Sequence, residues 1–420
     1  MRCRSTSIYN PTESPSTIYA HPLPQPSPVS HLLRTPLHHH TAPSTSTEST
    51  PQNLHPPSTP ISLPHISRTP LHHRTAPSTS IPSPHTQAAS TTAVVIPMKS
   101  PQTVIHSVAP KYLFPPELIH RGWRKKYPVG AGMKNQTNTC YLNAALQALF
   151  HVPAFVSWLL EDQELEKKKN LCLACSVADT LQKSHSLPLV VPARIYNQLP
   201  MINKFLKRSR QEDSHEFMRK LLEKMEEEFC RRFKSAMRNS KNSNTTPMNL
   251  IFGGYLLQEV TCLNCKGKST RPLYFSDLVV DLCASVEESV WSYFKPSKVS
   301  GYTCNHCKKP QAEAQMRQLL LKAPNVLCIQ LKRFNPLGAK IDVSCKTSTT
   351  LNMGNGLTYN FLAMVQHHGP RSNCGHYSTI AVAVDGSLYH FDDEQVSAVT
   401  QSCLQPPTAQ PYYLFYEKTK

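Results

Sequence analysis

Two cysteine pairs, Cys262-Leu-Asn-Cys265 and Cys304-Asn-His-Cys307, constrain the fold of this chain more than any other feature. They stand 39 residues apart, each beside a strand-like run. This is zinc-ribbon spacing: two turns must converge so that four sulfurs surround a metal tetrahedrally at ~2.3 Å. Four thiolates leave no open coordination position, so the expected zinc is structural. His306, inside the second turn, competes as a ligand, although four cysteines suffice. A third pair, Cys172-Leu-Ala-Cys175, lies on a helical pattern with no partner pair and reads as buried core cysteines.

The 420 residues allow one large domain or two ordinary ones, and composition divides them. Proline occurs 22 times in residues 1–116 and 15 times in the remaining 304. The first part is rich in Ser, Thr, Pro and His, so it cannot bury enough apolar surface to offset its ordering entropy. It also repeats: 31–47 returns as 65–81 with 13 of 17 positions identical. Its prolines exclude a helical repeat array, and residues 1–110 are expected to be a disordered tail. Of the net charge of +18, residues 1–116 contribute +5, so most of the basicity belongs to the remainder. Such a surface suits nucleic acid or acidic proteins, and equally a solvated exterior. The N-terminus has no apolar leader and no stretch approaches 18 apolar residues, so a secreted or membrane-spanning protein is not expected. The 14 cysteines then point to a reducing compartment, where spaced pairs suggest metal or catalysis.

Helical patterns come early and strand patterns late, which indicates an α+β fold. Residues 211–229 read as a helix with Phe217, Leu221, Leu222, Met225 and Phe229 on one face. The stretch 132–150 runs from a polar turn into a helix with a stripe at Tyr141, Leu142, Ala145, Leu146 and Leu149. Asn138 and Thr139 are helix-starting residues, which places Cys140 in the first turn, where the helix dipole favours thiolate. A buried core cysteine is the competing reading. A cysteine nucleophile needs a base, and His376, after Gly375 and at the start of an alternating run, is the candidate. Asp385–Gly386 predicts a two-residue hairpin turn that sets 379 opposite 392. His376 and Asp392 then lie near the same end, and Asp392 can accept the ring N–H and fix its tautomer. A capping histidine and solvated turn acids compete for each residue alone, but not for the three jointly.

Together these residues resemble the ubiquitin-specific protease family of deubiquitinases. The resemblance rests on NQTNTCYLNAALQAL (135–149), on Gln211-Glu-Asp-Ser-His-Glu-Phe217 and on FGGYLLQEVTCLNCKGKS (252–269). It continues through LKRF (331–334), GHY (375–377), YHFDD (389–393) and YLFYEK (413–418), in family order, over 121–418. It implies a papain-like fold: a helical thumb, a β palm, and zinc-ribbon fingers over roughly 251–325. It implies Cys140 as nucleophile, His376 as general base then acid, Asp392 as its orienting partner and Asn135 as oxyanion donor, supported by Asp393. Asp213 and Glu216 would face the arginines of the ubiquitin tail, and Cys262, Cys265, Cys304 and Cys307 would hold Zn2+. The implied activity is thiol-dependent hydrolysis of ubiquitin conjugates by a monomer. The sequence is most similar to a basic subgroup that is often nuclear or nucleolar, with a cytoplasmic location the alternative. Nucleic acid is a possible partner but not a required one. Two departures stand out. Thr137 occupies a position, two after Asn135, where the family usually has glycine, which implies a catalytically weakened, ubiquitin-binding alternative. The stretch 347–357 does not match the family's link into the last strands. A basic zinc protein that binds nucleic acid accounts for the charge and the cysteine pairs, but not for the Cys140 helix or the histidine hairpin.

Overall fold

Eleven consecutive residues, Cys140–Phe150, form the first helix, α1, and every one of them is buried. The stripe expected from the sequence is therefore only part of its contact surface. The amide N–H groups of its polar positions find partners: Asn143 donates to Asp393 Oδ1 at 2.8 Å, and Gln147 donates to the Ala131 carbonyl at 2.8 Å. The computed structural model describes residues 113–161, 172–232, 245–371, 374–407 and 410–419. The expected tail over 1–110, with its repeat, lies outside them.

Around α1 pack α2 (Pro153–Glu161), α3 (Leu173–Ser184), α4 (Ala193–Ile202) and α5 (Ser214–Arg232). The face predicted for α5 is the buried one: Phe217, Leu221, Met225 and Phe229 are at most 3% exposed, and Leu222 is partly buried against the same core. Two short parallel strands, β1 (Gly132–Met133) and β2 (Leu189–Val190), lie beside this helical layer. Cys172 and Cys175 correct one expectation. They are joined as a disulfide rather than standing as separate core thiols. Cys172 is the N-cap of α3, and its extended backbone aims the sulfur across the first turn, where it also accepts the Cys175 N–H.

A short helix, α6 (Pro247–Phe252), leads into the β region. Strands β3 (Gly254–Cys262), β4 (Lys268–Phe275), β6 (Ser297–Tyr302) and β7 (Ala312–Lys322) form a four-stranded sheet in the order β4-β3-β7-β6. Between them in sequence come β5 (Leu278–Val280) and α7 (Val286–Phe294). The remaining strands are β8 (Val326–Leu331), β9 (Thr350–Asn352), β10 (Thr358–Arg371), β11 (Cys374–Val382), β12 (Leu388–Asp392), β13 (Gln395–Val399) and β14 (Pro411–Lys418). They join β5 in an eight-stranded sheet, ordered β13-β12-β11-β10-β14-β8-β5 with β9 on β10. One face buries residues such as Val365, Ala381 and Phe415 with α1, and the other buries Ile329, Met364 and Leu414 with Val286 and Val290 of α7. This is the α+β arrangement the element order predicts. The stretch 347–357, which the sequence left without a role, forms part of a small hairpin. Its strand β9 pairs with β10, and its turn uses Gly354, Asn355 and Gly356 at positive φ.

Candidate active site

The residues before α1 are held in a tight turn by their own side chains. Asn135 Oδ1 accepts the backbone N–H groups of Thr137 at 3.3 Å and Thr139 at 3.0 Å. Thr139 is the N-cap residue, but its hydroxyl accepts the Gln136 N–H at 2.9 Å instead of capping the helix. Thr137 and Asn138 have φ of +128° and +55°. The value for Thr137 is strained for a β-branched residue. Cys140 follows as the first residue of α1 and is 3% exposed. α1 is fastened to the palm where the Thr379 hydroxyl of β11 donates to the Ala144 carbonyl at 2.8 Å. The N-terminus of α1 and the start of β11 therefore converge.

His376 lies at that start. Its Nε2 is 2.5 Å from Asp392 Oδ1, which leaves Nδ1 for Cys140. A hydrogen bond with Cys140 raises the His376 pKa, burial opposes the rise and Asp392 adds to it, for a net value of about 9. The imidazole is thus held protonated at neutral pH, the setting that stabilises a neighbouring thiolate.

The hairpin carrying Asp392 differs from its prediction by one residue. The observed register pairs Thr379 with Phe391 and Val382 with Leu388. The turn is not two residues long: Ala383 N–H donates to Ser387 O, Gly386 N–H donates to Ala383 O, and Gly386 has φ +85°. That makes a three-residue Val384–Asp385–Gly386 loop with glycine in the left-handed position. The difference decides the chemistry. A one-residue slip turns every side chain to the other face of the sheet. With 379 opposite 392, Asp392 would point away from His376. In the observed register Asp392 falls across from Ser378, on the His376 face and diagonal to it.

Asp393 turns the chain at φ +48° and accepts Asn135 Nδ2 and Asn143 Nδ2, each at 2.8 Å. Its carboxyl is pushed up by burial, against which the two asparagine amides pull it down. The Asn135 amide has two hydrogens, of which Asp393 takes one.

Asp213 and Glu216 separate in the structure. Asp213 Oδ1 caps α5 by accepting the His215 and Glu216 N–H groups, and Oδ2 accepts the Tyr412 hydroxyl at 2.6 Å. Glu216 stands exposed in the first turn of α5. Sequence reasoning missed Asp277, whose carboxylate is 3.4 Å from His215 Nε2. Burial raises its pKa, but His215 and Arg219 outweigh that, and the carboxyl is net lowered. No local motif marks it, because its charged partners come from α5.

In the fingers, the sulfurs of Cys262, Cys265, Cys304 and Cys307 all lie within 4.8 Å of one another. Cys265 and Cys304 sulfurs are 3.6 Å apart. Tetrahedral thiolates at zinc distance stand about 3.8 Å apart, so the cluster fits a metal ion. The backbone at Lys309 pulls the Cys307 thiol down to about 6, whereas at Cys265 the downward pull of the Gly267 backbone is outweighed by burial and the neighbouring sulfurs, which push that thiol up to about 11, because the crowded thiols share their protons. His306 is directed elsewhere: its Nε2 meets the Lys268 carbonyl at 3.0 Å.

Comparison with known proteins agrees with this architecture. A family model described as ubiquitin carboxyl-terminal hydrolase matches residues 131–416. Ubiquitin carboxyl-terminal hydrolase 36 of Drosophila pseudoobscura pseudoobscura is 37% identical over 362 residues, 79% of this chain and 33% of the relative. Its counterpart in Drosophila grimshawi is 39% identical over 339 residues, 73% of this chain and 27% of the relative. The chain thus spans about a third of the length of the curated relatives it matches. Among solved structures, a SAGA DUB module of Ubp8, Sgf11, Sus1 and Sgf73 bound to monoubiquitin matches with a TM-score of 0.60 at 24% identity, covering 70% of each chain. The module bound to ubiquitin aldehyde matches with a TM-score of 0.59 at 24% identity and 71% coverage of each. These structural likenesses establish the fold.

Proposed function

We propose that this chain, which belongs to the ubiquitin carboxyl-terminal hydrolase family, removes ubiquitin from conjugates through a cysteine acyl-enzyme. The carrying observation is the line Cys140–His376–Asp392, with His376 pushed up to about 9 by its cysteine and aspartate partners. Cys140 thiolate attacks the carbonyl carbon of ubiquitin's C-terminal glycine. The oxyanion that forms is received by the second Asn135 amide hydrogen, with Asp393 holding the first. His376 gives its Nδ1 proton to the leaving amine, and a thioester remains. Neutral His376 then takes a proton from water, which attacks the thioester; the thiolate–imidazolium pair returns, and the freed carboxylic acid loses its proton to solvent.

Glu216, exposed at the mouth of α5, is the acid that meets a basic ubiquitin tail, while Asp213 serves by positioning Tyr412 and α5. The four cysteines hold Zn2+, which ties the finger tip together and takes no part in the chemistry. The basic charge supports a nuclear or nucleolar setting.

The test is labelling with ubiquitin that carries a C-terminal electrophile. Wild type forms a covalent adduct under reducing conditions and Cys140→Ala does not; identical behaviour of the two sinks the proposal. A second reading follows from the strained Thr137: ubiquitin binding with impaired turnover. Turnover that rises at least about tenfold in Thr137→Gly would establish it.

A further inference from the structure

The segment between α4 and α5 touches both halves of the active site. At its first end, Ser209 meets the turn that precedes Cys140. Asn138 Nδ2 donates to the Ser209 carbonyl at 3.1 Å, and the Thr137 hydroxyl lies 3.2 Å from Ser209 Oγ. Tyr196 of α4 closes this cluster: its hydroxyl lies 3.2 Å from Thr137 Oγ1 and accepts the Ser209 N–H at 3.1 Å. Two residues on, Gln211 reaches the other half. Its Nε2 donates to the Gly375 carbonyl at 3.0 Å, and its Oε1 accepts the Gly375 N–H at 3.1 Å. One side-chain amide thus pairs with both backbone groups of the residue before His376, as one residue pairs with another in an antiparallel ladder. The far end is anchored by Ser214, which is fully buried and donates to the Tyr141 carbonyl at 2.8 Å.

Gly375 has little room to settle elsewhere. At φ +157° a side chain there would meet the His368 carbonyl at 2.3 Å and His367 Nε2 at 2.7 Å. Its backbone is pressed against β10 on one side and gripped by Gln211 on the other. The oxyanion turn is likewise held in a strained conformation, by Asn135 Oδ1 from within and by Ser209 and Tyr196 from outside.

We infer that residues 209–214 form a strap that sets the separation of Cys140 and His376, with Gln211 as a positioning residue for His376 through Gly375. The inference rests on the proposed thiol chemistry. A strap of this kind fixes the thiol against the imidazole before substrate arrives, and a misplacement on the order of 1 Å costs about 100-fold in rate. Thr137, the departure from glycine, becomes part of the device: its hydroxyl is the contact that a glycine would lack.

The test uses the full chain with a fluorogenic ubiquitin C-terminal substrate and three variants, each checked for folding by thermal melting. Gln211→Ala removes both bonds to Gly375. Gln211→Glu keeps the shape and the acceptor but sets a carboxylate against the Gly375 carbonyl. Thr137→Val removes the hydroxyl at the other end while keeping the branched shape. The expected result is a fall in kcat of about tenfold for each Gln211 variant, with KM within about twofold of wild type. The Gln211→Ala/Thr137→Val double variant loses less than the product of the single losses, because both act through one strap. The His376 ring resonances, followed by NMR against pH, move in the Gln211 variants. Unchanged kcat and unchanged His376 resonances overturn the strap even though wild type turns over. A raised KM with unchanged kcat makes Gln211 a substrate contact and also overturns it. Failure of wild type to react with the electrophilic probe defeats the underlying chemistry instead. If Gln211→Ala does not fold, the near-isosteric Gln211→Glu carries the decision.

Discussion

Two adjacent aspartates should fail in different ways. Asp392 contacts the imidazole, and Asp393 contacts the asparagines. Replacing Asp392 with asparagine removes the carboxylate that faces His376 Nε2. The His376 pKa, raised from its ordinary 6.5 to about 9, owes its largest rise to Cys140, while Asp392 ranks behind both Cys140 and the opposing effect of burial. Both His376 and Asp392 side chains are 40% exposed, so solvent screens their attraction. The expected drop is therefore only part of the rise. The sign follows from the raised value. His376 is protonated at neutral pH and loses its charge as pH rises through about 9 in wild type. In Asp392→Asn the basic limb of kcat/KM moves to lower pH, and the rate at neutral pH falls about 10- to 100-fold through loss of ring orientation. Asp393→Asn leaves His376 its partner but sets an amide group among two amide donors. It should lower kcat by about 100-fold, as loss of an oxyanion donor does, with the basic limb in place. The assay is a pH profile of ubiquitin C-terminal ester or amide cleavage for the three proteins. Limbs that move equally in both variants, or an Asp393→Asn enzyme as active as wild type, would refute this division of roles.

Other substitutions probe the frame. Gly375→Ala should destabilise the protein by about 3 kcal/mol, because its Cβ would meet backbone and the φ of +157° is unfavourable; urea unfolding measures this. Thr246 caps α6 by accepting the Asn249 N–H at 3.1 Å and also donates to Glu226, so Thr246→Ala should lower stability by about 1–2 kcal/mol in the same assay. Cys304→Ser, or chelation, should release about one zinc per chain and weaken ubiquitin binding by at least about tenfold, seen by metal analysis and titration.

Much of the site is legible in the sequence because its parts are local. Cys140 is the first residue of a helix that begins where Asn138 and Thr139 suggest, and His376 lies near the start of a strand, although residues 377–381 are buried on both faces rather than alternating. The four finger cysteines are recognisable because metal spacing repeats in sequence. What stays hidden depends on register and on distant partners. The Asp385–Gly386 turn is written in the sequence, but whether it closes two residues or three is set by how the strands twist and pair, and that single residue decides which way Asp392 faces. The Tyr412 hydroxyl that Asp213 accepts is hidden from its sequence neighbours, because it lies 199 residues away. The disulfide of Cys172 with Cys175 is not legible, because helical periodicity places residues without describing the extended N-cap that brings the sulfurs together. The Gln211 grip on Gly375 is likewise invisible, since it joins positions 164 residues apart.

The most direct measurement is intact-mass analysis and peptide mapping after treatment with ubiquitin bearing a C-terminal electrophile. Besides Cys140, the chain offers Cys374, an exposed thiol two residues before His376. The expected result is a single adduct on Cys140, abolished in Cys140→Ala and slowed in Asp392→Asn. An adduct on Cys374 or another cysteine, or none at all, would contradict the assignment of Cys140 as the nucleophile.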